Sequence, residues 1–515
     1  MEQRADVVIV GAGHNGLAAA ILLARKKLRV IVLEEKPIVG GATKTEFPFA
    51  RAPKLGISTG AYLLGLMPPE LIGKLGVDLP LRRRDPHYFL PTTGNRYLLF
   101  GSDRDSMKRQ FLEFFSEADW AAHTAMNAEI AAMRDDIAPT WLMEPLSIEE
   151  TAERFVRPAL RKAFVDLCRA PVSAYLDRFG FKSDLIKAMY AVTDGFSGLC
   201  GGYDSPGTGM NFLVHNMCRL PGSDGTWMII EGGMGTVSGR LADKARAEGA
   251  EIRTGAKVAS IEVTNGAASG VLLEGGTRIA ARVVVSNADP YRTRALVGED
   301  KLPAALSKRL DEVRRDGSTM KVNMCMKKLP TFTCLPEDKG QFGPTIHLLP
   351  DEDVVIQSLR DAHADAMAGR LPEFPSIEWY FHTPLDGSLR DAEGRHNAAL
   401  FIEWVPYTLA DGRSWDEAEA GYVKHLLSIC DRFAPGTSDL VEETFTLTPP
   451  GIERYFGITR GHIHHVDNSF GFADRVPYRF GVAGVYSCSA GTHPAGSVIG
   501  AAGHNAAEAV LKDLA

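Results

Sequence analysis

The feature that most constrains this chain is a glycine-rich turn between a short strand and a helix. Residues Asp6 to Val10 (DVVIV) form a continuous apolar run rich in β-branched side chains, which is typical of a strand buried on both faces. The run leads into the turn GAGHNG and then into good helix formers from Leu17 to Lys26. A second apolar strand, Arg29 to Leu33, ends in Glu34. This order, within about 30 residues, predicts a βαβ unit that binds a dinucleotide.

At each of its three glycine positions, this G-x-G-x-x-G turn requires glycine for a different physical reason. Gly11 allows the tight turn, Gly13 lets the backbone approach a pyrophosphate, and Gly16 lets the helix pack close to the strand. The start of the helix offers unpaired N–H groups to the phosphates. Glu34 is placed to accept both hydroxyls of an adenosine ribose, and it would repel a 2′-phosphate. The later pair Gly40-Gly41 predicts a second close approach of the backbone to the diphosphate.

Charge and cysteine content exclude several classes of protein. A net charge of −7 argues against nucleic acid as a partner, because phosphate binding needs a basic surface. The one basic run, Arg82 to Arg84, is interpreted as a solvated surface turn. Seven scattered cysteines without a C-x-x-C pair indicate a reducing compartment, no zinc site and no redox-active disulfide. With no secretory signal and no apolar stretch long enough to span a membrane, a cytoplasmic protein is expected.

Later stretches return to the same kind of architecture. A helix is predicted from Met234 to Glu248, and the strands Val258 to Val263 and Ala268 to Leu273 flank Asn265-Gly266, a strong hairpin signal. Near the C-terminus, the strand Gly484 to Cys488 and the loop SAGTHPAG lead into a helix predicted from Ser497 to Leu514. No second G-x-G-x-x-G is present, so one dinucleotide site is predicted, and this C-terminal helix could serve the far end of the same ligand.

Five stretches carry a resemblance to a known family: DVVIVGAGHNGLAAAILLA, VLEEKPIVGGA, DGTWMIIEGGMGTVSGRLA, ARVVVSNADP and CSAGTHPAGSVIGAAGHNAA. The chain resembles the carotenoid-desaturase branch of the amine-oxidase-like flavoproteins. Within it, the chain is most similar to the phytoene-dehydrogenase-like group of the pyridine-nucleotide-disulphide-oxidoreductase-domain protein two. The matching stretches lie at the start, middle and end, so the resemblance covers essentially the whole chain.

The resemblance implies the fold class and the domains. It implies an α/β protein whose discontinuous Rossmann-like FAD-binding domain, of the glutathione-reductase and amine-oxidase type, is interlaced with an α+β substrate domain. The FAD-binding domain would comprise residues 1–70, 225–295 and 455–515. The substrate domain would comprise residues 71–224 and 296–454.

The resemblance also implies a set of residues that bind FAD non-covalently. By motif match, Val258 would contact the adenine through its backbone, and Ser497 and Val498 would direct N–H groups at the flavin pyrimidine. The full expected set is Gly11, Gly13, His14, Asn15, Gly16, Glu34, Glu35, Gly40, Gly41, Ala42, Val258, Asn287, Gly491, Gly496, Ser497 and Val498. The chain departs from the family pattern at Ala42 and His504, where arginine is usual, and at Ser497, where glycine is usual.

Two residues are candidates for catalysis. Lys321 lies in STMKVNMCM, where alternation places it on one face with Thr319, Asn323 and Cys325. A lysine in an apolar strand suggests a functional role, because burying an unpaired charge is costly. The stretch also resembles the amine-oxidase strand whose lysine holds a water at the flavin. A surface strand with a solvated lysine is the alternative. His493 of GTHPAG could donate a proton near the flavin, or it could only hold the loop.

Other candidate residues have plainer alternatives. His462, His464 and His465 form an H-x-H-H cluster, but no acidic or cysteine partner stands at ligand spacing, so no metal is expected. Tyr203, His215 and Trp227 could line a substrate pocket or belong to the core. The amphipathic stretch Ala152 to Leu167 could contact a membrane surface, although packing on its own domain is the favoured interpretation.

The expected function is FAD-dependent desaturation, saturation or isomerisation of a hydrophobic, alkene- or polyene-like substrate. Hydride would pass to flavin N5, Lys321 or its water would handle the proton, and oxygen or a quinone would accept the electrons. Oxidation of an amine and a non-catalytic FAD-containing scaffold remain as alternatives.

Overall fold

The structure is a computed structural model that describes residues 3–515. Its strands are β1 (Gln3–Val10), β2 (Val30–Leu33), β3 (Thr45–Glu46), β4 (Ile57–Ser58), β5 (Leu81–Arg82), β6 (Tyr88–Pro91), β7 (Tyr97–Phe100), β8 (Ile229–Ile230), β9 (Glu251–Arg253), β10 (Val258–Thr264), β11 (Ala267–Leu273), β12 (Arg278–Ser286), β13 (Met320–Met326), β14 (Thr345–Leu348), β15 (Ser376–Phe381), β16 (His396–Glu403), β17 (Val441–Leu447) and β18 (Val485–Ser487).

The helices of the described chain are α1 (His14–Arg25), α2 (Pro69–Leu75), α3 (Arg104–Phe114), α4 (Glu117–Ile137), α5 (Ile148–Arg154), α6 (Arg161–Arg169), α7 (Val172–Asp177), α8 (Asp184–Tyr190), α9 (Thr208–His215), α10 (Gly235–Ala247), α11 (Pro290–Val297), α12 (Ala304–Val313), α13 (Val355–Met367), α14 (Trp415–Phe433), α15 (Thr437–Leu440), α16 (Pro449–Phe456) and α17 (Ala501–Leu514). Short 3-10 turns and one π-turn, Ala191–Gly195, connect some of them.

The first sheet is built around the N-terminal βαβ unit. Strands β9, β2, β1, β12 and β18 run parallel, and the hairpin β10-β11 continues the sheet antiparallel beside β12. Strand β1 is central, which explains its continuous apolar run, because both of its faces are covered. Helix α1 packs on this sheet between α10 and α17, in a core rich in alanine and leucine.

The second sheet has the strand order β17-β13-β16-β15-β14-β6-β7. One face carries Met320, Val322, Met324, Ile377 and Trp379 and packs on α14 in an apolar core. The opposite face carries polar and aromatic side chains and is directed toward the inside of the molecule. Helices α3 to α9 form a separate apolar core that closes the inside from the other direction.

The two sheets draw on alternating stretches of the chain. All strands of the first sheet lie within residues 3–10, 30–33, 251–286 and 485–487, and those of the second within 88–100, 320–348, 376–403 and 441–447. The sheets therefore fall on either side of the predicted domain division, whose boundaries stay a prediction.

Two predicted helices differ from the structure. The amphipathic stretch from Ala152 to Leu167 is not one helix, because α5 ends at Arg154 and a 3-10 turn, Pro158–Leu160, precedes α6. Proline lacks the N–H donor and disfavours a helical residue before it, so the predicted amphipathic surface is interrupted. The C-terminal helix begins at Ala501 and not at Ser497, because Gly500 at its start has a φ of +78°.

Among residues 3–515, no helix is both long enough and apolar enough to cross a membrane.

Candidate cofactor and substrate cavity

A cavity of about 700 Å³ connects the carboxyl ends of strands in the first sheet with the polar face of the second sheet. One end lies beside the residues that follow β1, β2 and β12, the edge at which parallel sheets bind ligands. The other end lies among residues of β13 to β16 and of helices α3, α4, α8 and α9. Its volume falls in the usual range for a cofactor or substrate site.

Glu34 lies at the cofactor end, directly after β2. Its Oε2 accepts the N–H of Ala12 at 2.8 Å and its Oε1 accepts the N–H of Lys36 at 2.9 Å. Each carboxylate oxygen retains a lone pair for a ribose hydroxyl. Burial raises the pKa of this carboxyl. The neighbouring Glu35 also lines the cavity but forms an ion pair with Arg292, with 3.1 Å between Oε2 and Nη2.

The glycine turn is packed so tightly that side chains would not fit. Gly11 has a φ of +94°, and a Cβ on Gly16 would lie 2.3 Å from the carbonyl oxygen of Gly11. A Cβ on Gly13 would lie 2.6 Å from the side-chain amide of Asn287. That amide can accept the N–H of Gly13 at 3.2 Å and donate to the carbonyl of Cys488 at 3.3 Å. Asn287 thus joins the turn to Cys488, the residue that follows strand β18.

Unpartnered polar atoms gather at the start of α1. His14 is buried with its Nδ1 3.3 Å from Thr43 Oγ1, while its Nε2 has no partner among the described residues. The Oδ1 of Asn15 also lacks one. Burial lowers the pKa of His14 to about 4, so the ring is neutral at physiological pH. The backbone N–H groups of the first helical turn and His14 Nε2, in the tautomer that protonates it, are donors beside the cavity that fit the diphosphate of a dinucleotide.

The second glycine pair completes the turn region. Gly40 and Gly41 have φ values of +121° and +59°, and the N–H of Gly40 donates to the carbonyl of Ala12 at 2.9 Å. A Cβ on Gly41 would meet only the Cα of Gly13, at 3.8 Å, so this backbone faces open space. Ala42 and Val258 line the same part of the cavity.

The C-terminal loop contributes fewer residues to the cavity lining than predicted. Ser497 and Val498 line the cavity from a loop and not from the first turn of a helix. Gly491 and Gly496 do not line the cavity. A Cβ on Gly496 would lie 2.4 Å from the Cβ of His464. These two glycines therefore allow the loop to pack closely and do not contact the cofactor site themselves.

His493 is not among the lining residues, contrary to its predicted catalytic position. Its ring is buried and its Nε2 lies 2.8 Å from the carbonyl oxygen of Thr140. Burial lowers its pKa to about 4. The arrangement corresponds to the alternative considered for this residue, a histidine that holds the loop.

Lys321 lies in the cavity wall on β13 and is 5% exposed. Its Nζ is 4.2 Å from the centroid of the Tyr62 ring and 4.0 Å from that of Phe401. Within residues 3–515 it has no hydrogen-bond or ion-pair partner. Burial lowers its pKa to about 7. A lysine with this pKa can take up or release a proton near neutral pH.

Lys321 belongs to a row of side chains that crosses four strands. Lys321 pairs with Phe401 of β16, Phe401 with Glu378 of β15, and Glu378 with His347 of β14. The Oε2 of Glu378 accepts a hydrogen bond from the hydroxyl of Tyr380, and its Oε1 lies 3.7 Å from Nε2 of His347. A sheet face with so many buried ionisable groups is typical of a functional site.

Sequence reasoning missed most of this row. Glu378 stands between Ile377 and Trp379 in the buried strand SIEWYF, and the argument applied to Lys321 would have singled it out as well. Its alignment with Lys321 depends on strand order, which periodicity does not reveal.

Arg84 corrects the interpretation of the basic run as a solvated turn. Arg82 and Arg83 form exposed ion pairs with Glu231 and Asp224. Arg84 instead is 3% exposed and lines the cavity.

The remaining candidates divide between the cavity and its surroundings. His215 and Trp227 line the cavity, whereas Tyr203 lies in the helical core. His464 and His465 also line it, from a loop and not from a strand. Sequence spacing offered no acidic or cysteine partner for these histidines, but the fold places the ligand atoms of Cys200, His462 and Asp467 within 4.8 Å of one another. The expectation that no metal binds here stays a prediction.

Comparison with known proteins decides the family. The sequence profile of the family described as flavin containing amine oxidoreductase matches residues 16–351. The chain belongs to this family. The resemblance predicted from the motifs is therefore confirmed, and the chain is a flavin-dependent oxidoreductase.

Relatives of this family member cover nearly its whole length. The rat pyridine nucleotide-disulfide oxidoreductase domain-containing protein 2 is 34% identical over 99% of this chain and 94% of its own. The zeta-carotene-forming phytoene desaturase of Myxococcus xanthus is 26% identical over 88% of this chain and 83% of its own.

Solved structures support the fold. An oxidoreductase from Methanosarcina mazei superimposes with a TM-score of 0.62 at 16% identity, covering 99% of this chain and all of that one. The predicted α/β fold class is thereby confirmed.

Proposed function

We propose that this family member binds one FAD non-covalently and uses it to desaturate, saturate or isomerise a carbon–carbon bond of a hydrophobic, alkene- or polyene-like substrate. The observation that carries the proposal is the continuous cavity. It begins at Glu34 and the glycine turn and ends beside Lys321 and an apolar wall. Reoxidation by oxygen or a quinone belongs to the same proposal.

The cofactor end of the cavity fits FAD on several counts. Both oxygens of Glu34 can still accept ribose hydroxyls, and the unpartnered Nε2 of His14 and the open backbone of Gly41 suit a diphosphate. None of the seven cysteines lines the cavity, which favours a non-covalent cofactor. When bound, FAD supplies the hydride acceptor that desaturation of a carbon–carbon bond requires.

Lys321 is proposed to manage the proton of this reaction. Desaturation removes one hydrogen as hydride and the neighbouring one as a proton, and the neutral Nζ of Lys321 would accept that proton. The aromatic rings of Tyr62 and Phe401 hold the amine beside the cavity. A pKa near 7 makes the amine available in its neutral form at physiological pH.

The apolar wall favours a hydrocarbon substrate over a small amine. Side chains from helices α3, α4, α8 and α9 form most of this wall, among them Met107, Met126, Ile130, Met189 and Phe212. A relative named as a phytoene desaturase supports carbon–carbon chemistry. A cationic amine would also meet the positive charge of Arg84 in the cavity, which repels it.

Anaerobic half-reactions test the proposal. The purified yellow protein is mixed with polyene hydrocarbons and unsaturated lipids, and separately with primary and secondary amines, while the flavin absorbance is followed. Chemically reduced protein is then mixed with the same polyenes to detect the reverse reaction. Electron exchange with polyenes and none with amines is expected. Reduction by amines alone would indicate amine oxidation. A flavin that exchanges electrons with none of these compounds, in a protein that also leaves the double bonds of the recovered polyenes unmoved, would indicate a non-catalytic scaffold.

A further inference from the structure

Arg84 has an unusual environment for a buried cation. Its Nε donates to the carbonyl of Trp227 at 2.9 Å, and its Nη1 donates to Thr345 Oγ1 at 2.8 Å. Within residues 3–515 no carboxylate lies within ion-pair distance of the guanidinium, and Nη2 has no hydrogen-bond partner. Burial lowers its pKa only to about 10, so the group is charged at neutral pH. A buried charge without a counter-ion is costly and implies that a ligand supplies one.

A second buried arginine shows the contrast. The guanidinium of Arg475 also lacks a carboxylate, but it donates to the backbone carbonyls of Thr492, Asp467, Val466 and Ala490 at 3.0–3.1 Å. Arg475 does not line the cavity, and its role in holding the C-terminal loop is complete. Arg84 lines the cavity, and only two of its nitrogens donate hydrogen bonds, both to neutral oxygens.

The acids of the cavity already have partners. Glu378 accepts the hydroxyl of Tyr380 and faces His347. Asp194 accepts Nδ2 of Asn216 at 3.0 Å and lies 3.9 Å from Nδ1 of His215, and burial raises its pKa to about 7. Arg84 and Lys321 are the basic side chains of this end that have no carboxylate within ion-pair distance among residues 3–515, and Arg84 carries a full charge at neutral pH. Such a balance favours an anionic ligand.

We propose that the substrate is an amphipathic long-chain carboxylic acid, whose carboxylate binds Arg84 while its unsaturated chain runs past Lys321 and along the apolar wall. This inference rests on the proposed function and specifies the substrate class of the same cavity. A guanidinium with one open edge suits a carboxylate oxygen, because a charge-assisted hydrogen bond to it compensates the buried charge.

Strand spacing indicates where the chain would react. Thr345, which holds Arg84, lies on β14, and Lys321 lies on β13, with β15 and β16 between them. Three strand spacings place the two backbones about 14 Å apart. The reacting carbons would thus lie far from the carboxylate, and a short acid such as hexanoate would bind weakly and not reach Lys321.

Binding of a polyene acid and its neutral ester tests the inference without turnover. Equilibrium dialysis of the flavin-loaded protein is carried out with cis-parinaric acid and with its methyl ester in the same dilute detergent. Wild type should bind the acid about 10- to 100-fold more tightly than the ester. Arg84→Met should bind both alike, and Arg84→Lys should retain part of the preference. The matched control is Arg82→Met, which removes an exposed ion pair away from the cavity and should behave as wild type.

Flavin content and thermal stability show whether each variant is folded. Equal binding of acid and ester by wild type, binding of neither, or an Arg84→Lys variant that is folded yet shows no preference would overturn the inference. So would an unchanged preference in Arg84→Met. A protein that binds the acid through Arg84 but neither exchanges electrons with alkene substrates nor isomerises them would reject the proposed function and retain this inference. If neutral polyenes reduce the flavin and the protein shows no preference for the acid, the proposed function is retained and the carboxylic-acid inference is rejected.

Discussion

Replacing Lys321 by methionine should change how the stability of the protein depends on pH. Burial gives Lys321 a pKa of about 7 in place of 10.5. Keeping the charged ammonium in the folded protein therefore costs up to about 5 kcal/mol at low pH. Between pH 7 and pH 10.5 the unfolded chain binds a proton that the folded chain does not. The stability of wild type should thus rise with pH in this range, by up to about 1.4 kcal/mol per pH unit, relative to the variant.

The assay is thermal unfolding of the flavin-loaded protein at one scan rate, because a chain of this length can unfold irreversibly. The apparent Tm of wild type minus that of Lys321→Met should increase from pH 7 to pH 9.5. Lys328→Met removes an exposed lysine just after the same strand and should show no such trend. A difference that is constant with pH, or the same trend in Lys328→Met, would refute a buried lysine with a lowered pKa.

The same variant also carries a kinetic prediction. If Lys321 accepts the substrate proton, reduction of the flavin should accelerate as pH rises through about 7 in wild type. Lys321→Met should lose this dependence and slow by about 10²- to 10⁴-fold while keeping its flavin. An unchanged rate with full flavin occupancy would leave Lys321 without a role in proton transfer.

Three further substitutions test other parts of the structure. Gly13→Val should yield colourless protein, because its Cβ would lie 2.6 Å from the amide of Asn287 and the larger side chain would enter the diphosphate space; normal flavin content would contradict the placement of the turn. Glu34→Ala should weaken FAD binding by about 1.5–3 kcal/mol, measured by flavin titration of apoprotein, since charge-assisted hydrogen bonds are lost. Arg475→Met should lower the Tm and the yield of folded protein, because buried backbone carbonyls of the C-terminal loop lose their donor; an unchanged Tm would show that water replaces it.

The dinucleotide-binding part of the fold could be predicted because its signals are local. Gly11 to Gly16 follow β1 directly, and Glu34 ends the next strand, so spacing alone arranges them around one site. The hairpin at Asn265-Gly266 is local in the same sense, and β10 and β11 pair across it as expected. In such cases the backbone conformation that glycine allows determines the structure of the turn.

The substrate end could not be predicted in the same way, because its residues meet through strand order. Lys321, Glu378 and His347 are far apart in sequence and become neighbours only when β13, β16, β15 and β14 pair. Arg84 was misinterpreted because a run of three arginines suggests a solvated surface, whereas tertiary packing buries only the third. His493 was overvalued because motif position alone does not show which way a loop side chain points.

The most direct test of the account is the identity and release of the cofactor. Purified protein is denatured by heat or acid, and the flavin in the supernatant and in the precipitate is quantified by chromatography and mass spectrometry. The account predicts one FAD per chain, all of it in the supernatant, because it proposes non-covalent binding and no cysteine lines the cavity. Flavin that stays with the precipitated chain, FMN in place of FAD, or a protein that neither contains nor takes up FAD would contradict it.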